Sequence, residues 1–188
     1  TNLRPYRGSE KERLTREAMK RGEALIYAGR LSEGGLLGEP DLLRREGDGY
    51  EAGDIKSGAG DEGGDDEGGG RPKRHYAVQL ALYTDILERI GMSAGRRPFV
   101  WDARREEVLY NLDAPLGVRT AATLWDFYVS VLGETHAILR KEQTTLPAYA
   151  GQCKLCQWRT ACRKQLEALD DLTLIPELGR TKRDAMLS

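Results

Sequence analysis

Three stretches of the chain decide its fold: GEPDLL at Gly38–Leu43, YEAGDIKSG at Tyr50–Gly58 and HYAVQLALY at His75–Tyr83. The first two have strand length and are separated by a glycine-containing turn, which predicts neighbouring β-strands. The third carries apolar residues at helical spacing, which predicts an α-helix with one apolar face. Polar residues interrupt all three stretches, and they are the residues whose chemistry has to be explained.

The sequence around these stretches predicts the remaining elements. A first helix is expected from about Glu10 to Arg21, because Ser9 and Glu12 have the capping-box spacing and Gly22 stands at a C-cap position. A three-strand meander is expected to lie against this helix, at Ala24–Leu31, Leu36–Arg45 and Tyr50–Lys56. Further along, the pattern predicts a helix at about Lys73–Ile90, strands at Arg97–Asp102 and Glu106–Leu112, and a helix at about Leu116–Arg140.

Composition limits the class of protein. The chain has 188 residues and a formal net charge of −1, which fits one domain with a small appendage. No apolar run has the length of a membrane span and no signal-peptide pattern opens the chain, so we expect a cytoplasmic protein without membrane partners. Because the sequence starts with Thr1, we expect a fragment of a longer protein. Residues 57–71 are acidic and glycine-rich, which predicts a flexible insertion, with a metal trap as the alternative.

Asp54 and Lys56 are the first candidate site residues. They stand two positions apart on a predicted strand, so both side chains point to one face. Asp41 lies on the neighbouring strand and can supply a second carboxylate, and the Ile55 carbonyl can complete the coordination of a hard divalent cation. Phosphodiester hydrolysis needs such a cation and a positive group that serves the attacking water. An exposed Asp–Lys pair on a surface strand is the alternative.

Gln79 and Tyr83 are four residues apart on the predicted second helix and therefore lie on one face. Tyr83 at this spacing is usually a core residue. Gln79 is polar within an apolar stretch, and a buried glutamine needs hydrogen-bond partners. A carboxylate, a lysine or a phosphate of an active site would provide them.

The sequence resembles the PD-(D/E)xK nuclease superfamily, in particular its RecB-like branch of predicted RecB family nucleases. The motifs that carry the resemblance are Gly38-x-x-Asp41, Asp54-Ile55-Lys56 and Gln79-x-x-x-Tyr83, and it extends through Thr15–Met19, Ile26-Tyr27 and the cysteine-containing segment. It implies an α/β fold with a restriction-endonuclease-like core at residues 1–145, in which helices flank a mixed β-sheet.

The resemblance also implies the roles of the site residues. Asp41 and Asp54, with the Ile55 carbonyl, would bind Mg²⁺ or Mn²⁺, Lys56 would serve the water, and Gln79 and Tyr83 would support the site. Relatives add a histidine or glutamate from the first helix, for which Glu17 is the nearest candidate here. The implied activity is hydrolysis of DNA, single-stranded or at ends, in repair, recombination or mobile-element defence, with a helicase or other repair protein as partner. A non-catalytic nucleic-acid-binding module of the same fold is the alternative.

The three cysteines of the chain, Cys153, Cys156 and Cys162, all lie within ten residues. Such clustering favours a metal or cluster site over disulfides, and three buried free cysteines are the alternative. In related nucleases, three C-terminal cysteines join one upstream cysteine around a [4Fe–4S] cluster. This implies a cysteine-stapled C-terminal segment at 146–168, whose fourth ligand is not in this chain. Zn²⁺ is the other candidate, with His75 or His136 as a substitute ligand.

The last stretch, residues 169–188, contains LTLIPELGRTKRDAML at Leu172–Leu187. It resembles the start of a helix-hairpin-helix, in which a glycine-containing turn contacts DNA phosphates through backbone N–H groups. An amphipathic tail helix is the alternative.

Overall fold

The computed structural model describes residues 1–63, 70–117 and 120–187 of the chain. The chain divides into two compact units, Thr1–Glu134 and Thr135–Ser188. The elements up to residue 139 are α1 (Gly8–Lys20), β1 (Leu25–Tyr27), β2 (Leu31–Glu33), β3 (Leu36–Gly38), β4 (Leu42–Glu46), β5 (Gly49–Ile55), β6 (Asp61–Glu62), β7 (Arg71–Pro72), α2 (Arg74–Arg89), β8 (Phe99–Trp101), β9 (Glu107–Leu109) and α3 (Leu124–Leu139).

Five strands of the first unit form a mixed sheet in the order β1-β4-β5-β8-β9. Strands β1, β4 and β5 are antiparallel neighbours, β8 runs parallel to β5, and β9 returns antiparallel to β8. A parallel pair needs a long crossover connection, and α2 lies in the connection from β5 to β8. The chain is therefore an α/β protein with a mixed sheet flanked by helices, as expected, and the predicted strand pair within residues 97–112 is confirmed.

Two of the predicted long strands are each divided in two. The segment 24–31 contains β1 and the start of β2, and the chain turns between them at Ala28, whose φ is +56°. The segment 36–45 contains β3 and β4, separated by Glu39, Pro40 and Asp41. Proline has no N–H for a strand ladder, so the break at Pro40 has a direct cause. Strands β2 and β3 form a separate pair with each other, through a turn at Gly34 and Gly35, both with positive φ.

The ends of two helices differ from their predictions. Helix α1 begins at Gly8, and its N-cap residue Arg7 makes no side-chain cap, so the predicted capping box of Ser9 and Glu12 is wrong. Helix α3 begins at Leu124 and not at Leu116, because Thr123 and Asp126 form a capping box instead. The Thr123 N–H donates to Asp126 Oδ2 (2.8 Å) and the Asp126 N–H donates to Thr123 Oγ1 (3.0 Å).

The main core lies between the sheet and helices α1 and α2. Helix α2 contributes the buried residues Ala77, Leu80, Ala81, Ile86 and Leu87, and it packs against β5. On β5, Gly53 has the Phe99 ring where a side chain would be, since an added Cβ would lie 2.3 Å from Phe99 Cζ. The guanidinium of Arg44 lies 4.1 Å from the centroid of that ring and donates to Glu51 and Glu107. Phe99 is consequently buried although it lies on the opposite face of β8 from Val100.

The described residues of the predicted flexible insertion take part in strand pairing and hydrogen bonds. Strand β6 pairs with β7, and the buried Gly60 donates its N–H to Asp102 Oδ2 (3.1 Å). The Tyr110 hydroxyl donates to the Gly60 carbonyl. The flexible insertion at residues 57–71 stays a prediction, and its residues 64–69 lie outside the described part of the chain.

The second unit is built from short helical segments. After α3 these are a 3₁₀ turn at Gly151–Leu155, α4 (Arg159–Ala168), a 3₁₀ turn at Leu172–Leu174 and α5 (Arg180–Leu187). Arg183 of α5 is buried, donates to the Pro147 carbonyl (2.7 Å) and forms an ion pair with Asp171 (3.2 Å). Within the described residues, none of the helices has the length and apolar character needed to cross a membrane.

Candidate active site

The candidate site is built around the end of the central strand β5. Asp54 on this strand is 3% exposed, and Lys56 follows directly after the strand ends. The Lys56 N–H still donates to the Trp101 carbonyl of β8 (2.8 Å), which keeps Lys56 in line with Asp54. The Lys56 ammonium forms an ion pair with Asp54 Oδ2, so the two side chains share one face as the strand spacing predicts.

Asp41 reaches the same place from the start of β4. The pairing of Leu42 with Gly53 puts Asp41 beside the end of β5. Its Oδ2 accepts the Ile55 N–H (2.9 Å) and its carbonyl accepts the Ala28 N–H (2.7 Å). The structure thus brings together Asp41, Asp54, Ile55 and Lys56.

The two carboxylates affect each other. Burial raises the pKa of Asp54 above its ordinary value; the Lys56 ammonium opposes this shift, and the nearby Asp41 carboxylate adds to it. Asp54 Oδ2 is also buried without a hydrogen-bond donor of good geometry among the described residues, although Lys56 contacts it. Two neighbouring carboxylates, one of them buried, repel each other, and a divalent cation would stabilise such a pair. The Asp41 and Asp54 carboxylates therefore supply oxygen donors of the kind that Mg²⁺ or Mn²⁺ prefers.

A chain of hydrogen bonds connects Lys56 to helix α2. The Lys56 ammonium donates to Gln79 Oε1 (2.8 Å), and Gln79 Nε2 donates to the Tyr83 hydroxyl (2.7 Å). The Tyr83 hydroxyl in turn lies 3.5 Å from the Glu39 carbonyl, to which it donates. Burial raises the pKa of Tyr83 to about 12, so its hydroxyl keeps its proton at neutral pH. Both ends of the Gln79 amide therefore have hydrogen-bond partners, as a polar residue in an apolar stretch requires, and one partner is the candidate site residue Lys56.

Aromatic and basic residues that the sequence reasoning did not select lie beside Lys56. The Lys56 ammonium is 5.0 Å from the centroid of the Tyr76 ring, and the Lys73 ammonium is 5.3 Å from the same ring. Both residues stand at the start of α2, three and six positions before Gln79. The position of Tyr76, one helical turn before Gln79, is the sequence signal that could have identified it.

Glu39 is a second residue that sequence reasoning missed, although it stands inside the Gly38-x-x-Asp41 motif. Its carboxylate accepts a hydrogen bond from Lys11 of α1 (3.0 Å) and pairs with Arg30. The Lys11 ammonium is the main cause that lowers the pKa of Glu39. A single lysine in a helix rich in charged residues gives no signal in the sequence that it is buried.

Glu17, the candidate ligand from the first helix, is not brought to this group. Its carboxylate accepts a hydrogen bond from Arg13 (2.7 Å) one turn earlier in α1, and its side chain is about half exposed. Among the described residues, no three His, Cys, Asp or Glu side chains form a group that could hold a metal ion. The carboxylate pair of Asp41 and Asp54 therefore has no third acidic partner within those residues.

The cysteines lie in the second unit, around the 3₁₀ turn and α4. Cys153 Sγ accepts the Ala150 N–H (3.4 Å) and donates to the Ala148 carbonyl (3.8 Å). Cys156 is exposed and Cys162 is half-buried. Within the described residues the three thiols are not gathered into one ligand set, and the cluster stays a prediction.

Comparison with known proteins adds no relatives. No protein-family model matches the chain, and no curated protein sequence is similar to it.

Proposed function

We propose that this chain is a divalent-metal-dependent nuclease with a restriction-endonuclease-like core that hydrolyses phosphodiester bonds of DNA in the cytoplasm. One observation carries the proposal: the buried Asp54 carboxylate lies beside the Asp41 carboxylate, and the Lys56 ammonium contacts Asp54 Oδ2. Two carboxylates and a lysine at one strand end are the groups that this reaction needs.

The metal-holding role falls to Asp41, Asp54 and the Ile55 carbonyl. The Ile55 N–H donates a hydrogen bond to Asp41 Oδ2 and so orients that carboxylate, while the Ile55 carbonyl would itself be a metal ligand. When bound, Mg²⁺ or Mn²⁺ supplies Lewis-acid chemistry, because it makes a water nucleophilic at neutral pH and offsets charge on a phosphate.

Lys56 would orient the attacking water and stabilise charge that develops on the phosphate. Its ammonium is held from two sides, by Asp54 and by Gln79 Oε1. Because Gln79 Nε2 is engaged by Tyr83, the amide presents its oxygen and not its nitrogen to Lys56. Such a fixed orientation removes the cost of arranging the ammonium during the reaction.

Features beside the site support a nucleic-acid substrate. The centroid of the half-buried Tyr76 ring is 5.0 Å from the Lys56 ammonium and 5.3 Å from the Lys73 ammonium, and a ring with adjacent cations is suited to a base and its phosphate. Single-stranded DNA or DNA ends fit this arrangement, because unpaired bases are free to stack. Repair, recombination or mobile-element defence, with a helicase as partner, are the settings we propose.

Cleavage assays with variants test the proposal. The wild-type chain is incubated with labelled single-stranded DNA, linear duplex, closed circular DNA and RNA, with Mg²⁺, Mn²⁺ or a chelator. We expect metal-dependent cleavage of single strands or linear ends, and none by Asp54→Ala or Lys56→Ala. Asp48→Ala and Lys20→Ala, two exposed residues away from the site, should cleave like the wild type. Thermal unfolding confirms that each variant is folded.

Cleavage that persists in both Asp54→Ala and Lys56→Ala would refute a nuclease site at these residues. DNA binding that persists in chelator, without cleavage in any metal, would instead favour the non-catalytic binding module.

For Cys153, Cys156 and Cys162 we propose a cysteine-stapled site for a [4Fe–4S] cluster, with a fourth ligand from outside this chain and Zn²⁺ as the alternative. Iron, sulfide and zinc analysis of the full-length, anaerobically purified protein, with its visible absorbance spectrum, distinguishes the two. Iron and sulfide that disappear in Cys156→Ser indicate the cluster, and zinc alone indicates the alternative. Neither metal in the wild type would refute the proposal.

A further inference from the structure

Lys11 of α1 is a buried charged residue for which the proposed reaction has so far assigned no role. It is only 5% exposed, which is rare for lysine, and its ammonium donates to Glu39 Oε2 at 3.0 Å. An exposed surface ion pair contributes little, but a buried ammonium needs a partner within the protein, and Glu39 is the partner that the described residues provide for Lys11. The buried Lys11 ammonium therefore fixes the position of the Glu39 carboxylate relative to α1.

Glu39 is held on three sides. Lys11 and Arg30 bind its carboxylate, and the Tyr83 hydroxyl donates to its carbonyl. Arg30 is itself tied to α1, since its N–H donates to the Thr15 hydroxyl (3.0 Å). The hydrogen-bonded chain from Lys56 through Gln79 and Tyr83 thus continues through Glu39 into the first helix.

The position of Glu39 is passed on to Asp41 through a single residue. That residue is the buried Pro40, whose ring fixes φ and restricts the backbone of Glu39 as well. Few soft dihedral angles therefore separate the Glu39 backbone from the Asp41 carboxylate. A shift of Glu39 would move Asp41 away from the Ile55 N–H.

We propose that Lys11 and Glu39 are positioning residues that hold Asp41 in its metal-binding place. The first helix contributes to the site through a buried ammonium and not through a carboxylate such as Glu17. The inference rests on the proposed function, because it deepens the role of Asp41 in that site. Mutation of a residue that hydrogen-bonds to a metal ligand typically weakens metal affinity about 10-fold to 100-fold, and we expect effects of this size here.

The test compares Lys11→Met, Glu39→Gln and the double variant with Arg13→Met, which removes an exposed ion pair from the same helix. Two readouts avoid catalysis: the affinity for Mn²⁺ alone, by calorimetry, and hydrogen exchange of the Ile55 amide in chelator. We expect Lys11→Met to weaken Mn²⁺ binding about 10-fold and to accelerate Ile55 exchange. The double variant should be no worse than Glu39→Gln, because Glu39→Gln has already weakened the contact that Lys11→Met removes.

The inference is overturned if a folded Lys11→Met variant has an Mn²⁺ affinity and an Ile55 exchange rate within about twofold of those of Arg13→Met. Should Lys11→Met not fold, Glu39→Gln decides, because the Glu39 side chain is 46% exposed. A wild-type chain that cleaves no nucleic acid contradicts the proposed function but leaves both readouts valid. Should the wild type bind no Mn²⁺, exchange at Ile55 decides alone.

Discussion

The ring of Tyr83 lies against the α-carbon of Gly38, where any other residue would place its side chain. A Cβ at position 38 would stand 2.5 Å from Tyr83 Cδ1 and 2.8 Å from Cε1. Gly38 lies in β3, so the close approach of the Tyr83 ring, and not a turn conformation, requires the glycine. Gly38 and Tyr83, the first and last residues of the three stretches that decide the fold, therefore pack directly against each other.

Gly38→Ala is expected to destabilise the protein by about 1–3 kcal/mol, the usual cost of overpacking a closely packed site. Thermal or urea unfolding measures the change. Gly133→Ala is the control, because its position in α3 has nothing within 4 Å of an added Cβ. In a helix that exchange stabilises by about 0.5–1 kcal/mol. Equal stability of Gly38→Ala and the wild type would contradict the prediction.

Gln79→Met is expected to lower the cleavage rate about 10-fold to 100-fold with unchanged Mn²⁺ affinity, on the scale of supporting residues in metal sites. The variant keeps the bulk of the side chain but removes the acceptor of Lys56 and the donor to Tyr83. Single-turnover cleavage and calorimetry measure the two quantities. The exposed Gln165→Met serves as the control, and a full cleavage rate in Gln79→Met would show that Lys56 needs no such partner.

The Asp102 carboxylate predicts a pH-dependent contribution to stability. Burial alone would raise its pKa, but the hydrogen bonds from the N–H groups of Gly60, Glu106 and Arg104 outweigh burial and lower the pKa to about 2. The unfolded value is about 3.9. A group with a lowered folded pKa stabilises above the unfolded value, and this contribution is lost as the pH falls through the folded value.

Asp102→Asn should therefore lower the melting temperature at pH 7, and the difference from the wild type should shrink between about pH 4 and pH 2. Thermal unfolding across that range measures it. Asp48→Asn, in an exposed turn, should show no such trend. A difference that stays constant down to pH 2 would mean that the charge of Asp102 is irrelevant.

Arg183→Met is expected to loosen the second unit, because it removes the cation paired with the Asp171 carboxylate, whose side chain is 8% exposed. Asp171 accepts the Thr173 N–H, and the Thr173 hydroxyl accepts the Tyr149 N–H. Hydrogen exchange at the Thr173 and Tyr149 amides should accelerate. Arg163→Met, which breaks an exposed pair with Glu167, should leave both amides protected. Unchanged exchange in Arg183→Met would argue against this role.

The sequence predicted the features of the site that depend on local periodicity. Asp54 and Lys56 share a face because strands have period two, and Gln79 meets Tyr83 because a helix turns in about four residues. The mixed sheet flanked by helices was also expected. The assignment of roles in a reaction stays a prediction, since it depends on chemistry that no contact within the chain reports.

Features set by distant contacts could not be predicted. The burial of Lys11 depends on Glu39, which is 28 residues away, and an amphipathic pattern does not distinguish a buried lysine from a surface one. The hydrogen bonds of Gly60 likewise involve Asp102 and Tyr110, more than 40 residues away, and the composition of its neighbours gives no signal of these partners. Two predicted strands are divided at Ala28 and Pro40. Each division depends on one residue, and a pattern read over many residues does not reveal it.

The stacking of Phe99 on Gly53 restricts how the sequence of this protein can change. Gly53 directly precedes Asp54, and an added Cβ would overlap the Phe99 ring by more than a flexible neighbour could relieve. Any larger residue at 53 thus requires a smaller one at 99, and Arg44 would then lose the ring that it covers. In an alignment of future relatives, positions 44, 53 and 99 should vary together, and the residue before the aspartate should be small wherever position 99 is aromatic.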